Sequence, residues 1–259
     1  MKTLTPSITF SDTAIKPGDI LAVGDVHAKY DLLEKFVSRV RGTLAVVVFL
    51  GDILDRGGQD IQVVNRIRHM TESPEDYGLD LVMCLTGNHE RMFVDAVQGP
   101  SENLYLWLQN GGNFEQFGEL QEHTSWFDEL PIYVTIGDTL FVHAGIIPSK
   151  DPFESVERGD VNRLLWIREP FLSIGPQFEK WNPSLKKVLF GHTPSEDSKP
   201  YTIPGGGICI DTGAFFSNVL TAYNDTQNTF YQFTLDEPVS VLPGPVQHSK
   251  PEQPERPTP

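Results

Sequence analysis

Five short segments of the chain place a glycine within two residues of an aspartate, asparagine or histidine, and each follows a run of apolar residues. Glycine lets the backbone turn sharply after a strand. Parallel strands bring such turns to one edge of a sheet, where open α/β folds hold their sites. The pattern therefore predicts that polar side chains from distant parts of the chain meet there. The segments are Gly24-Asp25-Val26-His27, Gly51-Asp52-Ile53-Leu54-Asp55-Arg56-Gly57, Gly87-Asn88-His89-Glu90, His143-Ala144-Gly145 and Gly191-His192-Thr193-Pro194.

The apolar runs have the length and composition of buried strands. Runs at 20–23, 44–50 and 79–85 alternate with segments, such as 32–40 and 61–68, whose apolar residues recur at helical spacing. Strands that alternate with helices indicate βαβ units with a parallel sheet, so we predict an α/β fold. Helices are also predicted within 101–130, broken at Gly111-Gly112, and further strands at 132–136, 140–143, 187–190, 208–210, 219–223 and 229–233.

The five segments have the composition of a metal centre. Of seven histidines in the chain, four lie in these segments, beside aspartates and an asparagine. Carboxylate oxygens and imidazole nitrogens suit divalent manganese, iron or zinc. Because the donors are numerous and one carboxylate can bridge, we expect two metal ions rather than one.

The series resembles the signature of the phosphoprotein phosphatases among the calcineurin-like metallophosphoesterases: GDxH, GDxxDRG, GNHE, a later HAG and a final GHT. All five elements occur in the expected order, and the similarity spans about residues 20–225. The segment from Ile210 to Ala214 resembles the compact bacterial and phage-type serine/threonine phosphatases. One departure is Ala28, where the family has glycine. The resemblance implies a four-layer sandwich, also classed as α+β, in which two mixed β-sheets are flanked by helices.

The resemblance also implies residue roles. Asp25, His27 and Asp52 would hold the first metal, and Asp52 would bridge to a second metal. The second site would be completed by Asn88, His143 and His192. Manganese is the expected metal, with iron or zinc as alternatives.

Five residues are assigned to catalysis or substrate binding. The resemblance makes His89 the general acid and Asp55 the catalytic partner that orients it. Arg56, Arg168 and Asn88 would bind the phosphate. Arg168 is assigned on the shorter motif Trp166-Ile167-Arg168.

The function implied is that of a metal-dependent serine/threonine protein phosphatase. It would hydrolyse phosphate monoesters by direct attack of a hydroxide bridging the two metals, with activity on phosphotyrosine and aryl phosphates as an extension. The first alternative is hydrolysis of dinucleoside polyphosphates, and the second is a catalytically silent binding protein. A cysteine phosphatase needs an arginine six residues after its cysteine, and those positions hold Glu90 and Phe215.

Composition limits the partners and the location. A net charge of −15 disfavours nucleic acid and anionic membranes. The resemblance implies a phosphoprotein or phosphopeptide substrate. Two distant cysteines within apolar runs, and the lack of a membrane span or signal, indicate a cytoplasmic protein.

The chain divides into three parts. Residues 1–18 are interpreted as a leader or edge segment, and 19–235 as the catalytic domain. Residues 236–259 are interpreted as a disordered tail, because they hold seven of the twenty prolines.

Overall fold

A computed structural model describes residues 8–10, 18–157, 159 and 161–245 of the 259 in the chain. Within them the strands, in chain order, are β1 Ile8–Phe10, β2 Ile20–Val23, β3 Val46–Phe49, β4 Leu81–Cys84, β5 Tyr133–Ile136, β6 Thr139–Val142, β7 Lys187–Phe190, β8 Tyr201–Ile203, β9 Gly207–Cys209, β10 Leu220–Asn224, β11 Thr229–Phe233 and β12 Ser240–Pro243. The α-helices are α1 Tyr30–Val40, α2 Asp60–Glu72, α3 Asn88–Gln98, α4 Ser101–Gln109, α5 Phe114–Leu120, α6 Thr124–Glu129, α7 Pro152–Glu157, α8 Val161–Trp166, α9 Phe171–Ile174 and α10 Ala214–Ser217.

The strands form two mixed sheets. The first sheet has the order β12-β11-β10-β2-β3-β4, in which β2, β3 and β4 are parallel and β10 is antiparallel to β2. The second sheet has the order β1-β5-β6-β7-β9-β8, in which β6, β7 and β9 are parallel. The parallel strands of each sheet point their carboxyl ends the same way, which is the arrangement that collects loop residues at one edge.

Alternate residues of β3 show how the sheets are layered. Val47 and Phe49 pack with residues of α1 to α6. Val46 and Val48 pack instead with Phe141 and other residues of the second sheet. The far face of the second sheet packs on α8 and α9. Both faces of each sheet are therefore covered, and the predicted four-layer sandwich is confirmed.

The predicted strands agree with the structure to within about two residues at each end, the usual uncertainty of such boundaries, whereas the helix predicted at 61–68 continues to Glu72 in α2. Three short strands were not predicted. All three, β1, β8 and β12, are at sheet edges. Edge strands bury only one side, so their sequences carry a weak apolar pattern.

The structure describes part of each terminal segment. Residues 8–10 form β1 parallel to β5. Residues 240–243, assigned to the disordered tail, pair with β11 as β12, and Leu242 packs on the core. The remaining positions of these segments, 1–7, 11–17 and 246–259, lie outside the described residues.

Among the helices that the structure describes, none is both long and apolar enough to cross a membrane.

Candidate metal centre

Loops from both sheets bring the predicted metal ligands to one edge of the sandwich. In the first sheet, Asp25 follows β2, Asp52 follows β3 and Asn88 begins α3 after β4. In the second sheet, His143 and His192 follow β6 and β7. The structure therefore brings together residues up to 167 positions apart. All six predicted ligands are buried: Asp25, His27, Asp52, Asn88, His143 and His192.

Asp52 lies between two groups of potential ligands. The first ligand group is His27, Asp52 and His89, and the second is Asp52, His143 and His192; in each, the donor atoms lie within 4.8 Å of one another. Asp52 Oδ2 is 3.7 Å from His27 Nε2, while Oδ1 is 3.4 Å from His143 Nε2. One carboxylate thus presents a different oxygen to each group, one of the two ways in which a carboxylate can bridge.

His143 of the second ligand group and the neighbouring Asn88 face each other with two acceptor atoms and no proton between them. His143 Nδ1 donates to the carbonyl oxygen of Leu50 at 2.9 Å, so Nε2 carries a lone pair. That lone pair is 3.0 Å from Asn88 Oδ1, which is also an acceptor. His192 Nδ1 is 2.9 Å from the same oxygen, and its Nε2 is buried with no hydrogen-bond partner. A cation would satisfy these atoms, so the residues fit a metal ion.

His27 of the first ligand group is held in the same tautomer as His143. His27 Nδ1 donates to the carbonyl oxygen of Leu54 at 3.1 Å, and Nε2 accepts from Arg56 Nη1 at 2.8 Å. A positive charge therefore already approaches this nitrogen. A divalent cation would meet the same lone pair.

Asp25 lies beside these groups and belongs to neither. Its two carboxylate oxygens accept the backbone N–H of His192 at 3.2 and 3.1 Å. Burial, Asp211 and Asp52 raise its pKa well above the ordinary value. Asp211 is a buried neighbour that the sequence analysis did not assign to the site.

Burial keeps the imidazoles neutral, as metal ligands must be. It lowers the pKa of His27 to about 3, with help from Arg56, that of His143 to about 4, and that of His192 to about 2. Burial also raises the pKa of Asp52 to about 7. Bound divalent cations would oppose this last shift, because they stabilise the ionised carboxylate.

Several ligands occupy the left-handed backbone region that favours glycine. The φ angle is 45° at His27, 49° at Asp52 and 66° at His192. Such residues cost on the order of 1–3 kcal/mol each and concentrate at functional sites. Ala28 also has a positive φ angle, 53°. Glycine, which the resembled family has at this position, adopts such an angle more easily than alanine.

His89 and Asp55 form a buried pair beside Asp52. His89 Nδ1 is 2.6 Å from Asp55 Oδ2, and neither side chain is exposed. His89 Nε2 lies 3.9 Å from Asp52 Oδ2 and has no hydrogen-bond partner. Burial, followed by His27 and Arg56, lowers the pKa of His89, whereas the contact with Asp55 favours the imidazolium. The free nitrogen faces the centre and can carry a proton toward it.

The two arginines reach the centre from opposite sides. Arg56 contacts His27, and its guanidinium carbon lies 4.8 Å from the ring centre of Phe215. Arg168 Nη2 donates to the carbonyl oxygen of His192 at 3.3 Å. Both are exposed, and both lower the pKa of Asp52 against the effect of burial. Two guanidinium groups thus flank the centre where a phosphate would be bound.

Glu90 has a role that the sequence analysis did not assign. Its buried carboxylate accepts three backbone N–H groups: Gly87 at 2.7 Å, Asp52 at 2.8 Å and Ile53 at 2.9 Å. It therefore ties the loop after β3 to the start of α3. The spacing of Gly87 and Glu90, which matches the second half of a capping box, was the available signal.

Glu90→Gln should destabilise the protein by about 2 kcal/mol, because an amide NH₂ would face a buried backbone donor and leave it unsatisfied. Urea unfolding should show a lower midpoint at an unchanged slope. The matched control is Glu129→Gln, at an exposed position in α6. Equal midpoints for the two variants would contradict the role assigned to Glu90.

Comparisons with known proteins agree with this geometry. Residues 18–223 match the family described as calcineurin-like phosphoesterase. The chain is 25% identical over 220 residues to serine/threonine-protein phosphatase 1 of Salmonella typhimurium, covering 78% of this chain and 89% of that protein.

Two solved structures share the fold. One is a cold-active protein-tyrosine phosphatase of a psychrophilic Shewanella, with 18% identity, a TM-score of 0.59, and coverage of 93% of this chain and 82% of that chain. The other is described as a diadenosine tetraphosphatase, with 18% identity, a TM-score of 0.57, and coverage of 93% and 98%. At this identity the likeness shows the fold alone.

Proposed function

Because this chain belongs to the calcineurin-like phosphoesterase family, we propose that it is a metal-dependent phosphatase acting on phosphoserine and phosphothreonine in proteins. It is a hydrolase of phosphate monoesters with a site that could hold metal ions. The observation that carries the proposal is Asp52, whose two oxygens face separate ligand groups.

The metal pair would be held by the residues already described. Asp25, His27 and Asp52 would hold one ion, and Asp52, Asn88, His143 and His192 the other. A divalent pair lowers the pKa of water and neutralises phosphoryl charge. Manganese suits the mixed imidazole and oxygen donors, with iron or zinc as alternatives.

The protein side chains would bind the phosphate and supply a proton. Arg56 and Arg168 would each offer a guanidinium fork to the phosphoryl oxygens. His89 Nε2 would give its proton to the leaving oxygen, because it is the unpartnered nitrogen of a ring held by Asp55 at Nδ1. The proposed contacts are to the phosphate rather than to the side chain that carries it, so phosphotyrosine and aryl phosphates would also react.

Three observations bear on the alternatives. A structure described as a diadenosine tetraphosphatase has the same fold, which is compatible with the dinucleoside polyphosphate alternative and does not select it. The chain instead keeps Asp55-Arg56-Gly57 and Gly87-Asn88-His89-Glu90, the forms that resemble the protein phosphatases. A silent binding protein is disfavoured because the ligands and His89 are all in place.

A substrate panel tests the proposal. With manganese present, kcat/KM for phosphoserine and phosphothreonine peptides should exceed that for diadenosine tetraphosphate by more than about tenfold. 4-Nitrophenyl phosphate would report activity independent of the peptide. A preference for the dinucleotide would favour the alternative hydrolase, and inactivity toward all substrates would favour the silent protein.

Location and partners remain proposals. Cys84 and Cys209 are buried free thiols, which suits the reducing cytoplasm. The net charge of −15 disfavours nucleic acid as a partner, so we propose phosphoproteins as the substrates.

A further inference from the structure

Trp107 of α4 is buried directly behind the His89–Asp55 pair. Its indole Nε1 donates to Asp55 Oδ1 at 2.9 Å and to Oδ2 at 3.0 Å. The side chain is fully buried. Asp55 thus lies between two donors, the indole of Trp107 on one side and the imidazole of His89 on the other.

The surroundings of Trp107 hold its ring in one position. Phe93 and Phe117 each pack against it with ring centres 5.4 Å away. Gly112 lies on its face, and a Cβ there would come within 2.3 Å of the indole. Only glycine leaves room for the indole at this position, so the break between α4 and α5 also serves to seat Trp107.

The fork from Trp107 fixes the plane of the Asp55 carboxylate. The terminal torsion of aspartate is broad, so a single hydrogen bond would leave the carboxylate free to rotate. The indole contact to both oxygens, together with the His89 contact to Oδ2, restricts that freedom. Because Asp55 Oδ2 in turn holds His89 Nδ1 at 2.6 Å, the plane of the carboxylate sets the direction of His89 Nε2.

We propose that Trp107 is a positioning residue for the general acid: its indole N–H fixes Asp55, which aims His89 Nε2 at the leaving oxygen. This inference rests on the proposed function. As a hydroxide derived from water forms the new P–O bond and the bond to the leaving oxygen breaks, that oxygen keeps the electron pair and takes the proton from His89. The products are an alcohol and inorganic phosphate, and the proton released when the attacking water ionised returns through solvent to the imidazole.

The test is the dependence of kcat on the leaving group. Aryl oxides such as 4-nitrophenolate leave readily without a proton, whereas the serine oxygen needs one. Trp107→Phe should lower kcat for a phosphoserine peptide about tenfold, the expected effect of losing a hydrogen bond to a charged group. Its kcat for 4-nitrophenyl phosphate should stay within about threefold, with KM unchanged for both substrates.

Two variants separate positioning from packing. Phe93→Leu loosens the same aromatic cluster without removing a donor, so it should affect both substrates equally. Replacement of Trp107 by 3-benzothienylalanine keeps the ring shape and removes only the N–H. It should reproduce the substrate-selective loss even where Trp107→Phe fails to fold.

His89→Asn distinguishes failure of this inference from failure of the proposed function. If His89→Asn shows the selective loss and both Trp107 replacements do not, the inference is overturned and the general acid stands. If His89→Asn itself shows no selectivity, the acid assignment fails and the inference with it. In the His89→Asn background, Trp107→Phe should add no further selectivity, and an added selective loss would also overturn the inference.

Discussion

Asp52→Asn should abolish the metal-dependent phosphatase activity, lowering kcat by on the order of 10³-fold or more. Asp52 is the residue shared by the two ligand groups, and each of its oxygens faces a different histidine. An amide keeps the shape but removes the negative charge and one acceptor. Metal analysis of the purified variant should therefore show loss of bound ions together with the loss of turnover.

The thermal stability of the same variant gives a second measurement. Metal that binds the folded state raises stability by about 2.7 kcal/mol at a concentration a hundred times its Kd. Manganese should therefore raise the Tm of the wild type by several degrees and leave that of Asp52→Asn nearly unchanged. Asp80→Asn, at an exposed position before β4, is the control and should behave as wild type. A fully metallated, active Asp52→Asn enzyme would contradict the bridging role.

His89→Asn should lower kcat for phosphoserine peptides by about 10²–10⁴-fold, the usual contribution of a general acid. The loss should be smaller for 4-nitrophenyl phosphate, whose leaving group is stable without a proton. Steady-state kinetics on the two substrates measures the difference.

Metal content distinguishes two roles for His89. Geometry alone places it in a ligand group with His27 and Asp52, whereas its unpartnered Nε2 and its contact with Asp55 favour a proton donor. A donor that is not a ligand predicts that His89→Asn keeps its metal. Loss of metal from this variant would show that His89 is a ligand. His69→Asn, an exposed histidine of α2, is the matched control.

The central elements of the fold could be predicted because their sequences show strong patterns. The runs that form β2, β3 and β4 are continuously apolar, and the helices between them repeat at helical spacing. The edge strands β1 and β12 could not be predicted this way. They are short, and Val241 of β12 is largely exposed, so no apolar pattern marks the strand.

The residues of the candidate site could be predicted from the sequence, but the contacts among them could be predicted less well. Asp52, Asn88, His143 and His192 occur in segments marked by glycine, and the structure brings them together. Asp25 was predicted as a ligand, yet its carboxylate contacts the backbone of His192. The assignments of metal ligands remain predictions until metal content and variants are measured.

Sequence alone determined which residues could form a site, because turn glycines and apolar periodicity are local features that can be recognised directly in the sequence. Only the tertiary structure decided what Glu90 and Trp107 contact. Glu90 reaches Asp52 across 38 positions, and Trp107 reaches Asp55 across 52. Hydrogen bonds of this kind depend on how helices pack against loops, and no local pattern records that packing.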